Sequence, residues 1–218
     1  MWCVEEIDEE YQKSMAKILE LYSEDYDPVY PIICFDEKHK HLIGDIKPII
    51  PMTPGSLEKY DYSYSRNGTA NIFVAVDFKG GKRDITVTDR RTKKDFAMYI
   101  RHLVKNVFPK AKKLRIIMDN LNTHTYYSII ETFGVNEAVE LFSKVRFYKT
   151  PKHASWLNIA EIEINVMDTQ CTGRRIANKE LLIKETTAHM NHRNENESKI
   201  YWNFTKEDAD KKLSKYYV

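Results

Sequence analysis

Two apolar stretches of this sequence each end on an aspartate. Asp36 lies at the end of PIICFDE and Asp119 at the end of LRIIMDN, and both follow the mostly apolar run that is typical of a buried strand. Either aspartate alone could simply cap a turn or a following helix. In an open α/β sheet, however, residues just past the carboxyl ends of neighbouring strands collect in one crevice, where ligands bind. The pair therefore predicts a shared acidic site.

A third acid is available in WLNIAEIEINVM, whose apolar residues have helical spacing. Glu161 falls on the polar side of this helix in its first turn, whereas Glu163 falls inside the apolar arc and must be buried or find a partner there. Glu161 also has a structural explanation, because Asn158 three residues earlier fits a capping box. Three converging carboxylates would supply the hard oxygen ligands that Mg²⁺ or Mn²⁺ prefers. Two such ions about 3.5–4 Å apart can activate a water or hydroxyl and stabilise the leaving oxygen of a phosphodiester.

The remaining periodicity predicts the elements that position these acids. In chain order they are a helix over about 5–23, the strand before Asp36, a hairpin of NIFVAVDF and RDITVTD, a helix begun by Thr92, the strand before Asp119, two short helices, the strand VRFYKTP, the helix of Glu161 and a last helix begun at Thr205. This order suits an α/β fold with a mixed sheet flanked by helices. We expect a helical segment over residues 1–30 and a main domain over 31–218. Residues 38–67 have no sustained period and contain several prolines, which predicts a long functional loop.

Composition is that of an ordinary globular protein. The chain has 42% hydrophobic residues, 30% charged residues and a formal net charge of +2, so overall charge does not argue for a nucleic-acid partner. No run approaches the roughly 18 apolar residues of a membrane span, and the acidic N-terminus lacks a signal peptide's features. We therefore expect a cytoplasmic protein with no membrane partner. Cys3, Cys34 and Cys171 are scattered, which favours neither a disulfide framework nor a zinc site.

The segments FDEK, RIIMDNLNTHT and TPKHASWLNIAEIE together resemble the catalytic core of DDE transposases, in the bacterial insertion-sequence branch related to mariner elements. RNGTANIFVAVDF, TDRRTKKDFA and WNFTKEDADKKL are similar to the same branch, so the resemblance covers nearly the whole chain. It implies an RNase H-like fold, two Mg²⁺ or Mn²⁺ ions, and cut-and-paste cleavage and joining of DNA strands. It also implies that Asp36, Asp119 and Glu161, the last in an LNxxE motif, are the catalytic metal ligands.

The resemblance further implies partners. These are double-stranded DNA, as transposon ends and target, and a second copy of the chain in a homodimer on DNA, reached by the loop over 38–67. The protein would be associated with the nucleoid when bound to DNA. Family members usually carry helix-turn-helix domains at the front, and we expect these to be absent because the sequence begins almost directly at the catalytic core.

Several neighbours of the acids are accessory candidates, namely Asn120, His124 and Glu163. His124 could contact the scissile phosphate or orient a water, although the asparagines and histidine here also suit a turn. The basic residues that could contact DNA phosphates without sequence specificity are Lys38, Arg90, Arg91, Lys152 and His153. Each of these could equally be a solvated surface residue.

Two other functions remain open from the sequence. One is a different RNase H-like nuclease, such as a ribonuclease or a Holliday-junction resolvase, and the other is a non-catalytic DNA-binding or assembly module derived from a transposase. A haloacid-dehalogenase phosphatase is excluded, because it needs a second aspartate two positions after the first, where this chain has Lys38.

Overall fold

A five-stranded mixed sheet forms the centre of the structure, a computed structural model that describes residues 7–218. Its strands are β1 (Ile32–Asp45), β2 (Tyr64–Asp77), β3 (Lys82–Thr88), β4 (Leu114–Met118) and β5 (Val145–Lys149). They lie in the order β3-β2-β1-β4-β5. The central strand β1 is antiparallel to β2 and parallel to β4, and β4 is parallel to β5. The predicted hairpin is confirmed as the antiparallel pair of β2 and β3.

Strands β1 and β2 are longer than the sequence pattern indicates. Instead of an irregular connection over 38–67, β1 continues to Asp45 and β2 begins at Tyr64, which leaves only residues 46–63 irregular. The extensions pair with each other as a two-stranded ribbon with a register shift between His41 and Ile43. Most residues of this ribbon are exposed or half-buried, and Leu42 and Ala70 are its buried apolar residues. It therefore lacks the sustained apolar alternation by which a strand is recognised in a sequence.

The helices that cover the sheet are α1 (Glu9–Ser23), α2 (Lys93–His102), α3 (Tyr126–Lys144), α4 (Ala160–Met167), α5 (Lys179–Glu195) and α6 (Lys206–Leu213). The capping boxes begun by Thr92 and Thr205 are both present. The two short predicted helices form α3, which is kinked at Gly134, where φ is +78°. The helix predicted over 5–23 begins at Glu9, and the start of that prediction lies outside the described residues. Helix α5 was not predicted.

Successive residues of β1 point into different cores. Ile33 and Phe35 pack in a cluster with α2 and α3, whereas Ile32 and Cys34 pack in a cluster that includes α1 and the segment leading into α4. A third cluster joins β2 and β3 to α4 and α5. Because side chains alternate along a strand, Asp36 and the next residue, Glu37, face opposite sides of the sheet.

Two further expectations concern cysteines and membranes. Cys34 and Cys171 are buried and free, while Cys3 lies outside the described residues. Within residues 7–218, no helix combines the length and the apolar character that crossing a membrane requires.

Candidate active site

Asp36 and Asp119 leave neighbouring parallel strands at the same level of the sheet. Cys34 pairs with Ile117 in the register between β1 and β4, and two residues farther along each strand reaches its aspartate. Strand β4 ends at Met118, whereas β1 continues. The two acids therefore lie at the same edge of the sheet, just past the end of the parallel ladder, and we call this edge the crevice.

Helix α4 approaches the same crevice through Asn158. The buried Asn158 amide donates to the Phe35 carbonyl at 2.9 Å and to Asp36 Oδ2 at 3.2 Å, and its oxygen accepts from the Ala160 N–H at 3.2 Å. The predicted capping box with Glu161 is not formed, because the Glu161 N–H donates to the backbone carbonyl of Asn158 and not to the Asn158 side chain. Asn158 instead joins strand β1 to the start of α4, and Glu161 follows with its side chain exposed. The sequence pattern indicates Asn158 only as a helix cap, and nothing local in it indicates this contact with β1.

The charges of Glu161 and Asp119 both act on Asp36. Burial is the main reason that the pKa of Asp36 is raised to about 7, and the charges of Glu161, Asp119 and Glu37 raise it further, against a hydrogen bond from the Glu37 N–H. A carboxyl group whose pKa is raised by burial and by acidic neighbours would be stabilised in its ionised form by a nearby cation. Among residues 7–218, no three acidic, histidine or cysteine side chains are already arranged as a metal-binding group. The fit to a divalent metal therefore depends on the oxygen donors and on their mutual repulsion.

His124 lies in the core and not in the crevice. Its Nδ1 is 2.7 Å from Asp119 Oδ1 and its Nε2 is 2.7 Å from Glu37 Oε1, and the side chain has no exposed surface. Burial lowers the pKa of His124, but its hydrogen bonds to Asp119 and Glu37 and their charges outweigh burial and raise the pKa overall. In the same way, burial raises the pKa of Asp119, and the His124 hydrogen bond and charge lower it overall. Both ring nitrogens are occupied within the protein, so neither is available to a phosphate.

Glu163 is paired with arginines inside the protein. Its carboxylate accepts from Nε and Nη2 of Arg83, at 2.8 and 3.1 Å, and from Nε and Nη2 of Arg193, at 3.2 and 2.9 Å. Neither Glu163 nor Arg83 has an exposed side chain. This pairing explains an acid in the apolar arc of α4 and leaves Glu161 as the acid of this helix that faces the crevice.

Two polar residues complete the surroundings of Asp119. The Asn120 amide donates to the Thr150 carbonyl and so joins the ends of β4 and β5. Lys149 donates to the His124 carbonyl, and burial lowers the pKa of its ammonium group although the charge of Asp119 acts in the opposite direction. Lys149 was not a candidate from the sequence. Its place at the end of the strand beside β4 could have indicated it.

The basic residues predicted to contact DNA lie in three places. Lys38 is on β1 and pairs with Asp168 at 3.2 Å. Lys152 and His153 are exposed in the loop that leads from β5 toward α4, where His153 has a left-handed φ of 59°. Arg90 and Arg91 are exposed in the loop after β3. Lys38, Lys152 and His153 thus lie on or beside the strands and helix that carry the three acids. Arg90 and Arg91 follow β3, which is separated from β1 by β2 in the sheet.

Comparison with known proteins gives a consistent result. The family described as DDE superfamily endonuclease matches residues 31–183, which include all three acids. One similar solved structure is a Mos1 transposase paired-end complex with the left transposon end, with a TM-score of 0.54 and 13% identity over 88% of this chain and 57% of that chain. A second is a Mos1 mariner paired-end complex with Mn, with a TM-score of 0.56 and 14% identity over 91% of this chain and 60% of that chain. A third is a Mos1 strand transfer complex, with a TM-score of 0.53 and 13% identity over 86% of this chain and 55% of that chain.

These structures confirm the predicted RNase H-like sheet, and at this identity they show the fold alone. This chain spans between 55% and 60% of the length of those three chains. No curated protein matches the sequence.

Proposed function

Because this chain belongs to the DDE superfamily of endonucleases, we propose that it is the catalytic part of a DNA transposase, which cleaves DNA strands and joins them to a target. The observation that best supports the proposal is geometric: the register of β1 and β4 brings Asp36 and Asp119 to the same edge of the sheet, and Asn158 holds Asp36 beside the start of the helix of Glu161. These acids come from two strands and a helix that are far apart in the sequence. A purely structural role for each would not require them to meet in one crevice.

In this proposal, Asp36, Asp119 and Glu161 are the ligands of two Mg²⁺ or Mn²⁺ ions. When bound, the ions would activate a water or a 3′ hydroxyl and stabilise the leaving oxygen of the phosphodiester. Asn158 holds Asp36 toward the start of α4. Lys149 and Lys152 provide positive charge beside the crevice for the DNA phosphates, and the exposed His153 provides a further polar group there. The similar Mos1 structures with Mn and with Mg support a divalent ion here.

The partners that we propose are double-stranded DNA and a second copy of the chain. Support for DNA comes from the transposon end and the strand transfer named for the similar Mos1 structures. Support for a homodimer comes from the loop over 46–63, where Leu57 is 80% exposed and Tyr62 is 90% exposed. Ile46, Ile50, Met52 and Tyr60 are exposed in the same loop, and such a group of exposed apolar side chains is typical of an interaction surface. Because DNA is the substrate, we place the protein at the nucleoid in the cytoplasm.

Strand joining tests the proposal. The purified chain is incubated with Mn²⁺, a duplex with a pre-cleaved 3′ end and a supercoiled target plasmid, and joined products are counted against cleaved ones. We expect joining by the wild type, loss of it in Asp119→Asn, and full activity in Asp89→Asn, an exposed aspartate paired with Lys179. Cleavage without joining would favour another RNase H-like nuclease. If neither reaction occurs and Mn²⁺ shifts the melting temperature equally in wild type and Asp119→Asn, the result would favour a non-catalytic module.

A further inference from the structure

The bridge from Glu37 through His124 to Asp119 connects two strands where their backbone ladder has ended. Cys34 and Ile117 are the last paired residues of β1 and β4. Beyond them, Glu37 on β1 and Asp119 after β4 are joined through the two ring nitrogens of His124, each at 2.7 Å from a carboxylate oxygen. We propose that Glu37 and His124 are positioning residues that fix the orientation of Asp119 for metal binding. This inference depends on the proposed function, because it assumes that Asp119 is a ligand.

The hydrogen bonds to Asp119 support this assignment. His124 Nδ1 and the Leu121 N–H, at 2.7 and 3.2 Å, both bond to Oδ1, and no residue in the described part of the chain bonds to Oδ2. One carboxylate oxygen is therefore held by the protein, and the other is left for an external partner. Partners of this kind, which hold a metal ligand from behind, usually determine the ligand's orientation and its basicity.

The imidazole itself has little freedom to move. Phe96 stacks on the ring at a centroid distance of 4.8 Å, and Phe35 packs edge-on at 5.2 Å. The ring can therefore transmit the position of Glu37 to Asp119. Since Glu37 follows Asp36 directly in β1, the bridge also relates the positions of two proposed ligands.

Glu37 is hard to explain by stability alone. Its side chain is only 2% exposed, and its Oε2 is buried without a hydrogen-bond partner among residues 7–218. An unsatisfied buried carboxylate oxygen carries a desolvation cost that an apolar residue of the same size would not have. A positioning role for the other oxygen, Oε1, provides a reason for an acid at this place.

The test compares two substitutions of Glu37 that have nearly the same size. Glu37→Met removes the acceptor for His124 Nε2, whereas Glu37→Gln retains an amide oxygen that can accept the same hydrogen bond. The dissociation constant for Mn²⁺ is measured from the signal of the free ion by electron paramagnetic resonance, with thermal unfolding of the metal-free protein measured in parallel. The control is His102→Gln, which removes another pair of a histidine with a carboxylate, His102 Nε2 with Asp84 Oδ1 at 3.0 Å, between α2 and β3.

We expect Glu37→Met to weaken Mn²⁺ binding about 10- to 100-fold, the usual effect of losing a partner of a metal ligand. Glu37→Gln should retain most of the affinity, and His102→Gln should bind Mn²⁺ like the wild type. The metal-free Glu37→Met protein should still fold, and it should unfold at a lower temperature than the wild type, because the buried Nε2 of His124 loses its acceptor, and the loss of Oε2, which has no partner, offsets only part of this cost. In ¹⁵N-edited spectra without metal, the ring N–H signal of His124 should shift in Glu37→Met more than in Glu37→Gln.

Three results would overturn the inference. If the wild type binds Mn²⁺ and Glu37→Met binds it equally well, Glu37 has no positioning role, while the proposed function stands. If Glu37→Met and Glu37→Gln are weakened equally, the charge of Glu37 matters and not its hydrogen bond. If the wild type itself binds no Mn²⁺, the proposed function fails, and the inference fails with it.

Discussion

Replacing Glu163 with glutamine should strongly destabilise the protein, because this residue joins three elements inside the core. It lies on α4, and its partners Arg83 and Arg193 lie on β3 and α5. Arg83 additionally donates to the carbonyls of Gly81 and Ser198. The substitution keeps the size of the side chain and removes its charge, so that a fully buried guanidinium loses its counter-ion.

The magnitude follows from the burial of the pair. Removing one partner of a buried ion pair costs about 3–5 kcal/mol, since the remaining charge is left uncompensated. The side chains of Glu163 and Arg83 are both 0% exposed, which justifies the full range, whereas the partly exposed Arg193 can regain water. Because domains of this kind unfold with about 5–15 kcal/mol, the variant should still fold. We therefore expect the free energy of unfolding to fall by about 3–5 kcal/mol in urea titrations with an unchanged slope.

Glu161→Gln is the matched control, because Glu161 lies two residues earlier on the same helix and is exposed. Its free energy of unfolding should stay within about 0.5 kcal/mol of wild type, while its Mn²⁺-dependent cleavage should be lost. A Glu163→Gln variant as stable as the wild type would contradict a supporting role for the buried ion pair. If Glu163→Gln instead abolishes cleavage at full stability while Glu161→Gln remains active, Glu163 is the ligand and Glu161 is not.

Three further predictions concern the acids and the loop. Asp36→Asn and Asp119→Asn should each abolish metal-dependent cleavage and leave the fold intact, and a variant that nicks DNA at the wild-type rate would contradict the assignment. The pKa of Asp36 is raised to about 7 in the folded protein, so the folded state holds a proton there that the unfolded chain loses at about pH 4. The free energy of unfolding of the metal-free wild type should therefore fall relative to that of Asp36→Asn as pH rises from about 4 to about 7. Urea unfolding at several pH values measures this difference, and parallel plots of stability against pH for the two proteins would argue against the raised pKa. Shortening the loop between Ile46 and Tyr60 should leave the melting temperature nearly unchanged and weaken dimerisation on DNA in sedimentation experiments, whereas an unfolded deletion variant would assign the loop to the core.

The features that could be predicted from the sequence are those with local causes. The apolar runs before Asp36 and Asp119 determine buried strands within a few residues, and the capping boxes begun by Thr92 and Thr205 need only contacts three residues apart. The meeting of the two aspartates follows from a general rule on parallel strands and needs no knowledge of distant contacts. For this reason the mixed sheet and the proximity of the two aspartates could be predicted from one sequence, whereas their role as metal ligands stays a prediction.

The features that escaped prediction depend on partners far apart in the chain. Arg83 and Glu163 are 80 residues apart, and Glu37 and His124 are 87 apart. The sequence shows that Glu163 needs a partner, but nothing local identifies which arginine it is. Helix α5 was missed for a related reason, since Leu182 and Thr186 are its only fully buried residues in the described part of the chain and give no clear apolar stripe.

The two buried glutamates have a common relation to the proposed ligands. Glu37 follows Asp36 on a strand, where neighbouring side chains point to opposite faces, and Glu163 lies two positions after Glu161 on a helix, about 200° around its axis. In each pair one acid faces the crevice and the other faces the core, where it is bonded to a cationic or donor group on another element. The inner acids thus fix the strand and the helix that carry the outer ones. The proposed site brings three carboxylates together, and without a bound cation their repulsion favours moving the strand and the helix apart. Rigid support from the inner acids opposes this movement.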